Sequence, residues 1–212
     1  MKTKKAKPTL STQPKLDLCQ VHKADYATPK KPVLLDIGTA CYLAVRGQGR
    51  PGGDVFQARI GALYAMAFTV KMTRKFAGLR DYAVCKLEAQ YFFVGDPCGI
   101  PMDEWRWKLL IRTPDFVKQD DLDRAVATLL KKGKDQDVKE VVLETLIEGR
   151  CVQMLHVGPY DREGETIAVM KSFADSRGLK FAGPHHEIYL SDPRRVAPEK
   201  LKTILREPVT PA

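Results

Sequence analysis

The sequence PHHEIYLSDPRR, residues 184–195, decides how the fold of this chain is interpreted. The aliphatic and aromatic run at 188–190 favours extended backbone, and the Gly-Pro and Ser-Asp-Pro sequences around it are typical of turns, so the stretch predicts a strand. Because side chains alternate along a strand, His185, Glu187 and Tyr189 share one face and the intervening residues share the other. A lone glutamate on a half-buried strand is most often exposed to solvent. The rest of the chain must therefore decide whether Glu187 has a function.

Composition places the chain among soluble globular proteins. It has 212 residues, 44% of them hydrophobic, which suits one large or two small domains. No apolar run approaches the roughly 18 residues of a membrane span, and the Lys-rich start is not followed by the apolar stretch of a signal peptide. We therefore expect a cytoplasmic protein without a membrane partner.

Charge and cysteine content exclude further classes of function. The net charge is +9, but four of the lysines lie within the first seven residues. The remaining Lys and Arg alternate with Asp and Glu, so we expect no nucleic-acid partner. The five cysteines are odd in number and scattered. Without a pair at metal-ligand spacing, they favour buried or incidental thiols over disulfides or a zinc site.

The domain organisation follows from composition and repeated patterns. Residues 1–14 contain almost nothing to bury and predict a disordered basic tail. Residues 15–206 predict one domain, and 207–212 a second tail. Within the domain, a strand, a glycine-rich turn, a helix and two strands occur at about 32–113 and again, with one strand unaccounted for, at about 138–192. A helix-containing linker joins these two repeats.

The second repeat gives weaker signals than the first. Residues 138–147 and 151–157 predict two strands, and Pro198 predicts the start of a short last helix. If the repeats correspond, Glu88 and Glu187 occupy like positions. Two such carboxylates would flank a cleft at the seam between the repeats.

Two neighbouring predicted strands carry the clearest candidates for a binding pocket. Glu88 lies in the middle of the first and shares its face with Phe92. The next strand, 104–112, alternates cleanly and carries Trp105 and Trp107 on its apolar face. Two tryptophans on one face are typical of a core and equally of the wall of an aromatic pocket, and the sequence leaves both open.

Other polar and aromatic candidates have a structural interpretation beside the functional one. Tyr64 lies in the apolar stripe of a predicted helix, where it is either a core aromatic or a ligand contact. His156 ends a strand at a glycine turn, and Phe173 lies on the stripe of the next helix. The adjacent histidines before Glu187 suggest a metal, yet only one shares its face, and no HExxH helix is present. Hydrogen-bonding histidines are therefore favoured, and we expect no metal and no cofactor.

Several of these segments resemble the GyrI-like small-molecule-binding domains, which are related to the effector-binding domains of multidrug-responsive transcription activators. The resemblance runs from about residue 15 to 205 and is most specific at HEIYLSDPRR. It implies an α+β fold of duplicated β-α-β-β units with pseudo-two-fold symmetry, in which antiparallel sheet and helices surround a central aromatic pocket with an acidic residue. The segments that carry it are FQARIGALY (56–64), LE (87–88), WRW (105–107), PDF (114–116), HVGPY (156–160) and HEIYLSDPRR (186–195).

The resemblance also implies roles for individual residues. A subgroup of stand-alone members, to which this chain is similar, hydrolyses the cyclopropane ring of cyclopropanoid DNA-alkylating natural products. Glu187 and Tyr189 match the acidic and aromatic pocket positions and become the candidate catalytic residues. The Glu88 strand reads LEAQYFF where the family has a Leu-Glu-Gly-Leu-Trp-Trp-like pattern, so smaller aromatics replace the tryptophans. The candidate ligand-binding residues are Glu88, Tyr64, Phe92, Trp105, Trp107, His156 and Phe173.

Three functions are compatible with these residues. The first is a hydrolase in which Glu187 is the base for water and Tyr189 a hydrogen-bond donor or orienting group. The second is a module that binds amphipathic cations through carboxylates and aromatic faces. The third is a protein-binding inhibitor, for which the sequence offers no exposed hydrophobic motif. In the first two, the partner is a lipophilic, aromatic small molecule, and the chain is a monomer or a homodimer.

Overall fold

The computed structural model describes residues 14–93, 99–134 and 136–212 and has an α+β architecture. The tail predicted for residues 1–14 lies, up to residue 13, outside the described part of the chain. The helices are α1 (Leu18–Val21), α2 (Asp54–Phe76), α3 (Gln119–Lys131) and α4 (Glu163–Asp175). The strands are β1 (Val33–Gln48), β2 (Leu87–Phe92), β3 (Arg106–Thr113), β4 (Val142–Val157), β5 (Leu179–Phe181), β6 (His185–Tyr189) and β7 (Lys202–Pro211).

The sheet closes on itself to form a barrel. Its strands follow the order β4, β1, β3, β2, β6, β7, and a further pairing of β7 with β4 closes the ring. Every one of these pairings is antiparallel. The short strand β5 adds to the far end of β7, where Phe181 lies opposite Val209. Closure gives β4 and β7, at the two ends of the strand order, partners on both sides, so the six-stranded ring has no unpaired edge.

The helices cover the outer face of the barrel. One face of β3, which carries Trp107, Leu109 and Ile111, packs into a core cluster with side chains of α2 and α3. A second cluster lies under α4 and includes Met170 and Leu205. The opposite face of β3 therefore points into the barrel, and so do the residues that lie directly across from it on neighbouring strands.

Two predictions for the end of the chain are wrong. Pro198–Lys200 forms one 3₁₀ turn, and the residues after it form β7 instead of a helix. The three- to four-residue spacing of leucine and isoleucine indicated a helix, but Ile204 lies opposite Leu155 on β4 and Ile188 on β6. Pairing on both sides therefore overrides the local pattern. The predicted tail at 207–212 is likewise mostly strand, because β7 continues to Pro211.

A long strand replaces the two strands predicted for 138–147 and 151–157. β4 runs unbroken through the predicted turn, and Gly149 within it has a φ of +68°. Glycine tolerates this left-handed conformation, so the strand changes direction without ending. β7 is a further strand, which the sequence did not predict.

The inside of the barrel holds a buried polar cluster, here termed the interior network, which consists of Glu88, Glu148, Gln153, His186 and Arg206. Glu148 accepts from Arg206 Nη1 at 2.6 Å and lies 2.6 Å from His186 Nδ1. Arg206 Nε donates to Gln153 Oε1 at 2.8 Å. Despite the opposing effect of burial, the positive charges of His186 and Arg206 lower the pKa of Glu148 to about 2.

The segment before β1 crosses one end of the barrel and joins this network. Tyr26 donates its hydroxyl to Glu88 at 3.0 Å, and Arg112 on β3 donates to the carboxylate of Asp25 at 2.7 Å. Gln153 donates to the carbonyl of Ala27 at 2.8 Å. The polar interior therefore fixes the N-terminal segment as well as four strands. None of the helices in the described part of the chain is long and apolar enough to cross a membrane.

Candidate active site

Glu187 lies on the outer face of the barrel, between the two core clusters. It is directly opposite Ala89 of the α2 cluster and Leu205 of the α4 cluster. Only 8% of Glu187 is exposed. A glutamate at this position would be solvated on an open sheet, but here the helices on either side bury it.

His185 connects Glu187 to a second carboxylate on β7. Its Nε2 lies 3.3 Å from Oε1 of Glu187, and its Nδ1 lies 2.5 Å from Oε1 of Glu207. Burial opposes a charge on the ring, but the interactions with Glu187 and Glu207 raise the pKa of His185 to about 10. At neutral pH the ring is therefore an imidazolium that bridges two carboxylates and holds Glu187 in place.

Glu163, the first residue of α4, completes the acidic part of the site. It is 6% exposed, and its Oε1 is buried without a hydrogen-bond partner. Burial, followed by the negative charge of Glu187, raises the pKa of Glu163 to about 9. Glu163 is therefore protonated at neutral pH beside the Glu187 carboxylate. A carboxyl group that keeps its proton next to a second carboxyl group is typical of an acid and base pair.

Aromatic side chains line the other side of Glu187. The hydroxyl groups of Tyr189 and Tyr91 lie 2.9 Å apart, and burial raises the pKa of both well above the ordinary value, so both keep their protons. The ring of Tyr160 packs edge-on against Tyr189 at a centroid distance of 5.9 Å. Trp105 packs edge-on against Tyr91 at 5.9 Å and against Phe93 at 4.8 Å.

The structure brings some of the predicted site residues together. Glu187 and Tyr189 are neighbours on the outer face of β6, and Trp105 reaches them through Tyr91. Tyr64 lies half-buried on α2, where it stacks on Phe68 at 6.2 Å. Tyr64, Trp105 and Tyr189 all pack against the same core cluster, so they belong to one side of the barrel.

Glu88 and Phe92 lie on the other face of the sheet from Glu187. Glu88 is directly opposite Ile188, whereas Glu187 is directly opposite Ala89. Because Glu88 is adjacent to Ala89 on β2, and Ala89 shares its face with Glu187, the side chains of Glu88 and Glu187 lie on opposite faces of the sheet. Glu88 is fully buried in the interior network, and Phe92 is 41% exposed with Lys108 Nζ 5.5 Å from its ring centre. The two carboxylates therefore do not flank one cleft.

Trp107 is a core residue. It is 1% exposed, packs edge-on against Phe56 at 4.8 Å, and donates its indole N–H to the carbonyl of Gly49 at 2.9 Å. A Cβ on Gly47 would lie 2.1 Å from the Trp107 ring, so the ring rests directly on the backbone of β1. Of the two tryptophans, only Trp105 belongs to the aromatic side of the site.

His156 and Phe173 serve the packing of α4. His156 Nδ1 lies 2.9 Å from the hydroxyl of Thr166, and its Nε2 lies 3.2 Å from the carbonyl of Pro159, so the ring fastens the turn to the helix that follows. Phe173 packs against the α4 cluster, and Arg177 covers its ring at 3.6 Å. In the described part of the chain, neither His156 nor Phe173 forms a hydrogen bond, an ion pair or a ring contact with Glu187.

Three polar residues of the site were missed in the sequence. Glu163 stands in the first turn of a helix, where acidic residues are common because they face the positive end of the helix dipole. Glu207 lies in the segment predicted to be a tail. Tyr91 lies on the face opposite Glu88, so knowing that β2 pairs with β6 would have placed it directly opposite His185. The signal for Tyr91 was present, but it required the strand pairing.

The fold is an α+β domain whose closed barrel carries acidic and aromatic side chains on its outer face, and comparisons with known proteins show its family. Residues 112–209 match the GyrI-like small molecule binding domain. An uncharacterized conserved protein from Listeria innocua is 40% identical, with 92% of this chain and 100% of that chain aligned at a TM-score of 0.87. A hydrolase from Listeria innocua is 38% identical, with 93% and 100% aligned at a TM-score of 0.86. The chain belongs to the GyrI-like family.

A more distant likeness concerns the fold alone. The C-terminal domain of EcmrR is 11% identical, with 86% of this chain and 98% of that domain aligned at a TM-score of 0.56. The curated proteins contain no match to this chain.

Proposed function

We propose that this chain binds lipophilic, aromatic small molecules and hydrolyses electrophilic cyclopropane-bearing compounds of the cyclopropanoid class by adding water. The observation that carries this proposal is the pairing of the buried Glu187 carboxylate with a protonated Glu163 beside aromatic rings. A base for water and a proton donor thus stand next to a surface that suits a flat, apolar ligand. The hydrolase from Listeria innocua, at 38% identity, supports a hydrolytic activity.

The reaction follows from the roles of these groups. Glu187 takes a proton from water as the water oxygen forms a bond to the ring methylene carbon. A ring C–C bond breaks, and its electron pair moves into the conjugated carbonyl to give a phenolate. Tyr189 donates a hydrogen bond to the developing oxyanion. Glu163 then supplies the proton that neutralises it, and the proton on Glu187 passes back to Glu163, so the net change is the addition of one water.

The remaining groups hold the base and orient the ligand. His185 fixes the Glu187 carboxylate by bridging it to Glu207. Positioned general-base catalysis supplies on the order of 100- to 10,000-fold in rate. Orientation of the ligand by the aromatic rings adds to this.

A second function is binding of amphipathic cations without chemistry. It is favoured by the excess of carboxylates at the site, where Glu163, Glu187 and Glu207 surround one histidine. Cation–π contacts with the aromatic rings would contribute about 0.5 to 2 kcal/mol each. This function requires no activated water.

Time-resolved mass spectrometry distinguishes the two functions. The full chain is incubated with a tenfold excess of an electrophilic cyclopropane conjugated to a carbonyl. We expect a product one water heavier than the ligand, formed in more than one equivalent per protein. Ligand that is recovered unchanged from a stable complex would instead support the binding function.

The proposal includes two further features. The order β1, α2, β2, β3 and, after α3, the order β4, α4, β5, β6, β7, in which the short β5 is an addition, support two β-α-β-β units related by a pseudo-two-fold axis. We also propose that the protein acts in the cytoplasm, as a monomer or a homodimer, and protects the cell from reactive compounds.

A further inference from the structure

The outer-face site carries more buried negative charge than its basic groups balance. Glu163, Glu187 and Glu207 are 6%, 8% and 5% exposed. Among the residues that the structure describes, His185 is the one basic side chain within ion-pair distance of any of the three. Buried carboxylates without a counter-charge are costly, so the site must take up protons or a cation.

Three of these side chains converge on one point. Glu163, His185 and Glu187 each offer a ligand atom, and these atoms all lie within 4.8 Å of one another. His185 Nε2 and Glu187 Oε1 are 3.3 Å apart. Two ligand atoms at about 2.0–2.1 Å from a tetrahedral Zn²⁺ are separated by about 3.3 Å, so this pair has the required spacing.

Two further observations point to a ligand at the same place. Oε1 of Glu163 is buried without a hydrogen-bond partner. Buried polar atoms are nearly always partnered, so an oxygen in this position beside Glu187 is available to coordinate a cation. His185 Nδ1 also lies 2.5 Å from Glu207, so Nε2 is the ring nitrogen that faces Glu187 and the cluster. A carboxylate behind a histidine in this way orients the ring toward a metal.

We propose that Glu163, His185 and Glu187 form a binding site for a divalent transition-metal ion, with Zn²⁺ the preferred ion and Glu207 the group that orients His185. One nitrogen and two carboxylate oxygens suit Zn²⁺ and leave a fourth position for water, whereas Mg²⁺ prefers an octahedral oxygen set.

A consequence for catalysis rests on the proposed function. Coordination occupies the lone pairs of Glu187 and removes the proton of Glu163. Zn²⁺ bound at the three residues therefore inhibits the hydrolysis that uses them as base and acid.

Isothermal titration calorimetry of the full chain with ZnCl₂, without any organic ligand, tests the site. We expect one Zn²⁺ bound per chain. Mg²⁺ at the same concentration is expected to give no binding heat.

Substitutions assign the binding to these residues. Glu163→Gln keeps the shape of the protonated acid and is expected to weaken Zn²⁺ binding at least tenfold, and Glu207→Gln about 10- to 100-fold. The matched control is Glu165→Gln, two residues along α4, whose side chain is 66% exposed and pairs with Arg162; it should bind as the wild type does. The proposal is overturned if Zn²⁺ does not bind to the wild type. It is also overturned if Zn²⁺ binds equally well to a Glu163→Gln variant whose thermal unfolding transition matches that of the wild type. Because no cyclopropane is present, either result leaves the hydrolysis test unaffected.

Discussion

At the scale of single residues, Glu163 and Glu187 show how one environment gives two carboxyl groups different roles. Both are buried on the outer face of the barrel, so only one can carry a negative charge at low cost. Glu187 has the imidazolium of His185 beside it, whereas an oxygen of Glu163 has no partner. The proton therefore resides on Glu163. This division of roles depends on α4 and β6 meeting, which no local pattern encodes.

The raised pKa of Glu163 predicts a pH-dependent stability. Its pKa rises from an ordinary 4.5 to about 9 in the fold. The unfolded chain therefore loses this proton near pH 4.5 and the folded chain only near pH 9, so the wild-type free energy of unfolding falls between these values. The glutamine in Glu163→Gln does not titrate, so the variant lacks this pH-dependent loss. We therefore expect the stability of the variant relative to the wild type to rise steadily from pH 5 to pH 9.

Urea denaturation at pH 5, 7 and 9 measures this difference. The unfolding free energy of Glu165→Gln, on the exposed side of the same helix, should follow the wild type at each pH. Parallel pH profiles for Glu163→Gln and wild type would show that Glu163 is already ionised in the fold.

At the scale of secondary-structure elements, strand register decides which residues form the site. Glu88 and Glu187 are both central in their strands, but β2 and β6 pair so that Glu88 meets Ile188. The sequence was sufficient to predict that His185, Glu187 and Tyr189 share a face and that Trp105 and Trp107 share another, because alternation is local. It was insufficient to predict which face is outside, or that β7 would be a strand, because both depend on pairing between distant segments.

The contact between β1 and β3 gives a prediction that tests Trp107 as a core residue. Gly47→Ala would place a Cβ 2.1 Å from the Trp107 ring. Because this ring is buried against Phe56, it cannot move aside freely, and we expect the free energy of unfolding to fall by about 1–3 kcal/mol. Gly38→Ala, on the same strand with no atom within 4 Å of the added Cβ, is the control and should change stability by no more than about 0.5 kcal/mol. Equal effects of the two substitutions would contradict this packing.

At the scale of the whole molecule, the interior network ties the two halves of the barrel together. Arg206 on β7 bonds Glu148 and Gln153 on β4, and Glu148 in turn meets His186 on β6. The same His186 lies 3.1 Å from Glu88 on β2. The family resemblance predicted an acidic pocket. The sequence alone did not separate the interior network from the outer-face site, because each contains a histidine and glutamates, and His185 and His186 are adjacent in the sequence.

Removing Arg206 should therefore destabilise the whole barrel. Arg206→Ala leaves the carboxylate of Glu148 buried without its arginine partner, and we expect a loss of about 3–5 kcal/mol in the free energy of unfolding, measured by denaturant titration. Arg194→Ala is the control, because Arg194 forms an ion pair with Asp192 at the surface and its side chain is 86% exposed. Its effect should stay below about 1 kcal/mol. A mild effect of Arg206→Ala would mean that the network contributes little to barrel closure.

The most direct test of the proposed chemistry is to measure ligand binding and turnover together in Glu187→Gln. The substitution preserves the size of the side chain and removes the carboxylate that takes the proton from water. With a cyclopropane substrate, we predict that affinity, followed by the fluorescence of Trp105 and Trp107, changes by less than tenfold. The rate of water addition, followed by mass spectrometry, should fall on the order of 100- to 10,000-fold. Turnover at the wild-type rate in Glu187→Gln would contradict the role of Glu187 as the base.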